Sequence, residues 1–363
     1  SGQNSTAMGY QTTASGYAST AMGNSTDAIG GYSTAMGYNT EANGDYSTAM
    51  GFFTVASGNY SIAMGRDTEA ISNYSTAMGR QTTASGENST AMGHNAIASG
   101  GNSTAMGYNT EAISNYSTAM GYNTDALGIY STAMGNSSDA VGENSTAMGN
   151  STDAIGDNST AMGYQTTASQ SSDTAMGYQT TASGQNSTAM GYQTTASGYA
   201  STAMGNSTDA IGGNSTTFGY QTDASGDYSV AMGIMSEAVG ENSTAMGYNT
   251  IAVGENSTAM GRETAAVGVS STALGRFTTA VDYASLVIGQ YNSSGSLNGD
   301  SNGYSPSNTA FVIGNGTSSN SKSDAFKVMF NGNTTIGGND LTIGDLSAFS
   351  GTFSQRSAID VVA

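Results

Sequence analysis

The 363-residue chain carries 7 Lys and Arg against 26 Asp and Glu, a formal net charge of −19, with 51 glycines, one proline and neither cysteine nor tryptophan. So few cations could neutralise few phosphates, which excludes nucleic acid as a partner and disfavours adsorption to anionic membranes. Charged residues make up 9% of the chain, against about 25% in ordinary soluble domains. Order must therefore come from something other than a large Leu/Ile/Phe core.

From Ser5 to Ala284 the sequence repeats every 14 residues, twenty copies without insertion or deletion. Numbered from its first serine, the unit reads S-T-A-M-G, two variable residues, T-x-A-x-G, two variable residues. Ser5 to Ala18 and Ser187 to Ala200 are identical. Ser1-Gly2 matches Ser15-Gly16, so the chain opens inside a repeat and is expected to be a processed piece of something longer. A helix would lose roughly 2 kcal/mol per repeat to its two glycines. Two short strands per unit, each closed by glycine and a two-residue turn, fit instead. Identical coils stacked at about 4.8 Å would form a rod roughly 95 Å long.

In the second strand, position 9 is Asp or Glu in half the copies (Asp27, Glu41, Glu69, Asp125 and Asp209 among them). Stacked charges cannot be buried unpaired, so position 9 faces water and position 11 shares its face. Positions 8, 10 and 12 (Thr, Ala, Gly) then point inward, joined by positions 1, 3 and 5 (Ser, Ala, Gly) of the first strand. The expected interior is thin: Ala7, Ala14, Ala21, Ala28, Ala35, Ala42 and their successors, with Ser and Thr hydroxyls bonding along the ladder.

The first strand points Thr and Met outward at positions 2 and 4. Position 4 is Met8, Met22, Met36, Met50, Met64, Met78, Met92, Met106, Met120, Met134, Met148, Met162, Met176, Met190, Met204, Phe218, Met232, Met246, Met260 and Leu274. Such a stripe is too apolar to leave in water, and other copies of the rod, packed about a common axis, are its simplest cover. Two other readings stay open: methionine filling the coil interior, and an ice-binding face built on the threonine row.

The variable turns carry Tyr10, Tyr38, Tyr108, Tyr164 and Tyr192 at position 6. They are candidates for stacking on sugars or touching a protein receptor, or equally for stacking on one another. After Gly289 the period breaks. Residues 290–309 read as a turn-rich connector and 310–363 as a β-rich neck or trimerisation region. There Phe326, Val328 and Phe330 alternate before a hairpin signal at Asn331-Gly332.

The S-T-A-M-G…T-x-A-x-G pattern resembles the 14-residue head repeats of YadA-like trimeric autotransporter adhesins. Their units read S-V-A-I-G before a second A-x-G segment, and the likeness runs from Ser5 to Gly289. The resemblance implies an all-β fold: a left-handed parallel β-roll of about twenty coils in each of three parallel subunits, with residues 1–289 as the array. It implies an extracellular, cell-surface protein, with the same chain as partner and a host-surface protein or polysaccharide as target. The segments Leu286 to Asn292, Ala310 to Thr317 and Ala325 to Gly337 look like the region following such repeats in tail-fibre-like surface proteins. Those often carry a self-cleaving C-terminal chaperone, so Ala363 is expected to be a natural processed end and a virion fibre is a second setting. The adhesins' membrane anchor has no counterpart in this sequence.

No enzyme is expected, and no cofactor or metal. His94 sits at a variable turn without a cluster around it, no serine has a placed base, and the carboxylates recur as a solvated face. No D-x-[DN]-x-[DN]-G loop occurs and Gly314 to Ser319 lacks a phosphate-loop lysine. N-S-T triplets such as Asn88-Ser89-Thr90 match the glycosylation sequon but arise from the turn-to-strand join. A passive spacer holding a binding tip away from its base is the alternative to an adhesin.

Overall fold

A computed structural model describes residues 2–293, 295 and 299–337. The segment Ser357 to Ala363 and the expected processed end lie outside them. The described residues form a parallel β-solenoid without helix. Each coil contributes a five-residue strand, such as Thr20–Asn24, and a two-residue strand, such as Asp27–Ala28. In coils 4, 5, 7, 8 and 9 the two fuse, as in Thr118–Ala126.

Within the twenty copies the strands pair in parallel with their own copies 14 residues away: Ala105 with Ala119, Met106 with Met120, Thr110 with Thr124. A slip of one residue would turn all side chains to the wrong face, and the repeat without indels forbids it. The corners preserve the ladder. Positions 7 and 14 adopt positive φ in every coil, for example Ser25 at 53° and Tyr32 at 59°. There the N–H turns back to the preceding coil, Ser25 N to Tyr10 O at 2.9 Å and Tyr32 N to Tyr17 O at 2.7 Å. The left-handed region costs a non-glycine residue roughly 1 kcal/mol or more, and the retained hydrogen bond offsets it.

The interior is a column of alanines. Ala14, Ala21, Ala28, Ala35 and Ala42 are 0–2% exposed, and so are their successors to Ala280. Ala7, in the first coil of the described residues, is exposed. Two further expectations need correction. Glycine at position 5 is not interior: Gly23 and Gly37 are exposed, at φ near +135°. Their role is close approach, since a Cβ on Gly121 would run into the carbonyl oxygen of Gly135.

Most of the hydroxyls do not bond along the ladder either. Ser33 Oγ donates to Gly30 O at 2.7 Å and Ser145 Oγ to Gly142 O at 2.7 Å, each across its own turn. Thr26, Thr110 and Thr166 Oγ1 are buried without a protein partner, because one coil spacing of about 4.8 Å exceeds hydrogen-bond reach. At Ser236 the gap does close, Thr250 Oγ1 to Ser236 Oγ at 3.0 Å, whereas Ser138 leaves Thr152 Oγ1 unpartnered.

The ladder runs past the twenty copies. Leu286–Gln290 pairs with Thr272–Arg276, and Thr309–Asn315 adds a further parallel rung, Val287 against Val312. Residues 299–308 fold back on the last coils around buried Asn308, whose amide donates to Asp300 O and Gly303 O. Val269 N and Tyr283 N donate to Ser301 O and Asp300 O. Asp324–Met329 then pairs antiparallel with Thr309–Asn315, and Thr334–Ile336 closes a hairpin through Asn331-Gly332.

The two glycine positions should differ in tolerance. Gly121→Ala, at positive φ, is expected to cost about 1–3 kcal/mol. Gly142→Ser at position 12 should cost less, because Ser72 and Ser114 already stand there. Thermal unfolding followed by circular dichroism checks this; equal losses would contradict it.

Candidate functional site: an apolar stripe, an acidic face and aromatic ladders

The parallel register aligns position 4 into one row, Met106 on Met120 on Met134 on Met148. None of these residues is buried, so methionine does not fill the coil interior. Within the row each side chain is partly covered by its neighbours above and below. Exposure is highest at the end residue Met8 (58%) and at Phe218 (51%). The threonines of position 2 flank the row half-buried. The result is an uncharged, mostly thioether surface along the whole array.

The second strand carries the acids. Glu111, Asp125, Asp139 and Asp153 lie in register in four successive coils. Burial, and then the charges of Asp139 and Glu111, push the Asp125 carboxyl up to about 6. Burial and then Asp153 raise Asp139; burial raises Asp153. Asp223 is raised by burial and by Asp209 and Glu237.

Position 11 on this face holds a row that the sequence reading passed over: exposed Ile113, Leu127, Val141 and Ile155 beside those four acids. A signal was present. In eight of the ten coils with an acid at position 9, position 11 is Ile, Leu or Val. Asp173 was also missed. It replaces the serine of position 1, is fully buried, and accepts from Gln170 N, Ser187 N and Ser187 Oγ at 2.8–3.0 Å. Desolvation raises its pKa, partly countered by those donors.

At the turns the tyrosines stack on one another. Tyr164, Tyr178 and Tyr192 form a nearly parallel stack with centroids 4.9 Å apart. Tyr108 lies between His94 at 4.8 Å and Tyr122 at 5.1 Å, and Tyr38 stacks on Phe52 at 5.1 Å. Tyr10 faces Asn24 in the next coil and is 66% exposed. A second ladder, at position 14, runs Tyr32, Tyr46, Tyr60, Tyr74 with spacings of 4.9, 4.9 and 5.2 Å. Asn95, Asn109 and Asn123 add an amide ladder. Within these stacks ring faces are taken by neighbouring rings, which leaves edges and hydroxyls to water.

A family model described as the YadA head domain repeat, two copies to the model, matches residues 1–26, 28–54, 42–68, 70–96, 98–124, 126–152, 154–180, 182–208, 210–234 and 238–264. No curated protein matches the chain.

The acid ladder gives a pH dependence with a definite sign. Asp125 has an ordinary value of 3.8 and about 6 in the roll. Its contribution to stability is therefore complete below 3.8 and lost as pH rises through about 6. The melting temperature is expected to fall from about pH 4 to pH 7, and Asp125→Thr, a residue native to this position in other coils, should flatten the fall. A melting temperature that climbs over this range would contradict the assignment.

Proposed function

The chain belongs to the YadA head-repeat family, and from that premise we propose that it is a segment of a homotrimeric extracellular fibre that attaches to surfaces. The observation that carries the reading is the position-4 row. Eighteen methionines, one phenylalanine and one leucine occupy one line of the solenoid without a charge among them. Large contiguous apolar surfaces on soluble proteins mark interaction sites. A partner that covers the row must share its length and period, and a second copy of the same chain does both. Three copies about one axis is the number the family supplies.

The opposite face and the turns stay outward in that arrangement. Their residues vary from coil to coil while positions 3, 4, 5 and 10 barely change. Attachment is assigned to these variable rows, to a host-surface protein or polysaccharide, through many weak contacts that gain avidity from repetition. One observation favours the spacer reading at the turns: Tyr38, Tyr108, Tyr164 and Tyr192 spend ring faces on their neighbours. Of the position-6 candidates, Tyr10 alone has no ring stacked on it among the described residues.

Sedimentation equilibrium should return three chains per particle. Replacing Met120, Met134 and Met148 together by Thr should weaken the trimer without removing β-structure. A stable, soluble single-chain rod would end the packing argument. Binding of the isolated array to cells or polysaccharide supports attachment along the rod, and its absence supports the spacer.

A further inference from the structure

Coils 3 to 5 depart from the repeat on their outward side. Phe53 stands at position 7, where most coils place Asn, Gln or Ser, and Val55 stands at position 9 between two acids. Phe53 holds φ of 53° and is 42% exposed. The turn does not require a bulky residue there, since Asn39 and Asp67 make it in the coils on either side. Phe53 also stands outside the parallel stack. Tyr38 and Phe52 lie flat on each other, while Phe53 crosses Phe52 at 73° and Tyr38 at 62°.

An open cavity of about 280 Å³ results, lined by Asn39, Glu41, Phe53, Val55, Asp67 and Glu69. It falls below the roughly 300–1,000 Å³ of small-molecule pockets and suits a single side chain. Two of its lining side chains, Phe53 and Val55, are apolar. Three others, Glu41, Asp67 and Glu69, are acidic, with Val55 paired in register between Glu41 on one side and Glu69 on the other. Glu41 accepts from Asn43 at 3.2 Å, and among the described residues neither Glu41 nor Glu69 forms an ion pair. Asp67 is paired with Arg66 at 3.3 Å.

We propose that this cavity binds the basic side chain, arginine or lysine, of a partner protein, its stem on Phe53 and Val55 and its charge between Glu41 and Glu69. The chain uses the same chemistry next door, where the Arg66 guanidinium lies 5.8 Å from the Phe52 ring centre while pairing with Asp67. It does so again with Arg262, 5.6 Å from the Tyr248 ring centre and 3.5 Å from Glu263. A cation over an aromatic face beside a carboxylate is attractive on both counts. The site names a partner group for the attachment reading and rests on that reading for its exposure outside the cell.

The test is titration of N-acetyl-arginine amide into the array, followed by isothermal titration calorimetry, with N-acetyl-glutamate amide as the opposite-charge probe. The repeat supplies replacements already compatible with the coil: Ser at position 7 (Ser25, Ser137) and Thr at position 9 (Thr83, Thr167). The arginine probe should saturate and the glutamate probe should not. Phe53→Ser and the pair Glu41→Thr with Glu69→Thr should each weaken arginine binding about fivefold or more, with melting temperatures near the parent's. Asp139→Thr, on the distant acid row, should leave it unchanged. Equal arginine binding by all variants, or none by the parent, overturns the site. Because the probe is a small molecule and particle mass is measured on the same samples, failure of the cavity and failure of the trimer are told apart.

Discussion

Everything in this molecule hangs on the backbone hydrogen bonds between coils. Thr6 N reaches Ser19 O, Thr20 N reaches Ser33 O and Thr34 N reaches Ser47 O, each at 2.9 Å. The corners join in through left-handed residues that turn their N–H toward the coil before. Because each coil is bonded to its copy in register, a position in the repeat becomes a row along the rod. Residue choice at a position is then a choice of face for the whole solenoid. Inward rows are limited to Ala, Ser and Thr by the width of the coil, and glycine rows by the approach of successive backbones. The outward rows are where the sequence is at liberty to differ.

That division accounts for the energetics. The alanine column buries little area per coil, and at about 25 cal/mol per Å² it could not hold a domain together alone. The coils cohere through repetition, each gaining only from its neighbours. Interior exceptions are therefore informative. Asp173 brings a carboxyl into the column with three donors arranged around it. Val287 and Val312 replace alanine where the ladder ends, and Asp282, at a glycine position, accepts from Thr309 N at 2.8 Å. There the antiparallel strand Asp324–Met329 takes the edge of the last parallel rung.

Much of this was legible in the sequence, because a row repeated twenty times exposes its own constraints. Acids at position 9 gave the outward face, invariant alanine at position 10 gave the interior, and alternation carried both to the first strand. Alternation also misled. It placed glycine 5 inside, whereas positive φ at that residue interrupts the period of two. The direction of the serine hydroxyls depends on a turn three residues back rather than on the stack, so the period could not reveal it. Stacking of the tyrosines was one of two readings, and only coordinates separate ring faces from ring edges. The aliphatic row at position 11 was readable and overlooked, since the acids beside it claimed the whole face for water.

The solenoid has one constant face and one variable one. Thioether side chains in water oxidise readily, and those packed against another subunit do not. Met235 serves as an internal reference, because it lies at a turn, 40% exposed and away from the position-4 row. Hydrogen peroxide followed by peptide mass spectrometry tests directly whether the row is covered. If it is, Met235 becomes the sulfoxide first while Met106, Met120 and Met134 stay largely unmodified. Oxidation of those three at the rate of Met235 would show the row bare, and the assembly built on it would fall.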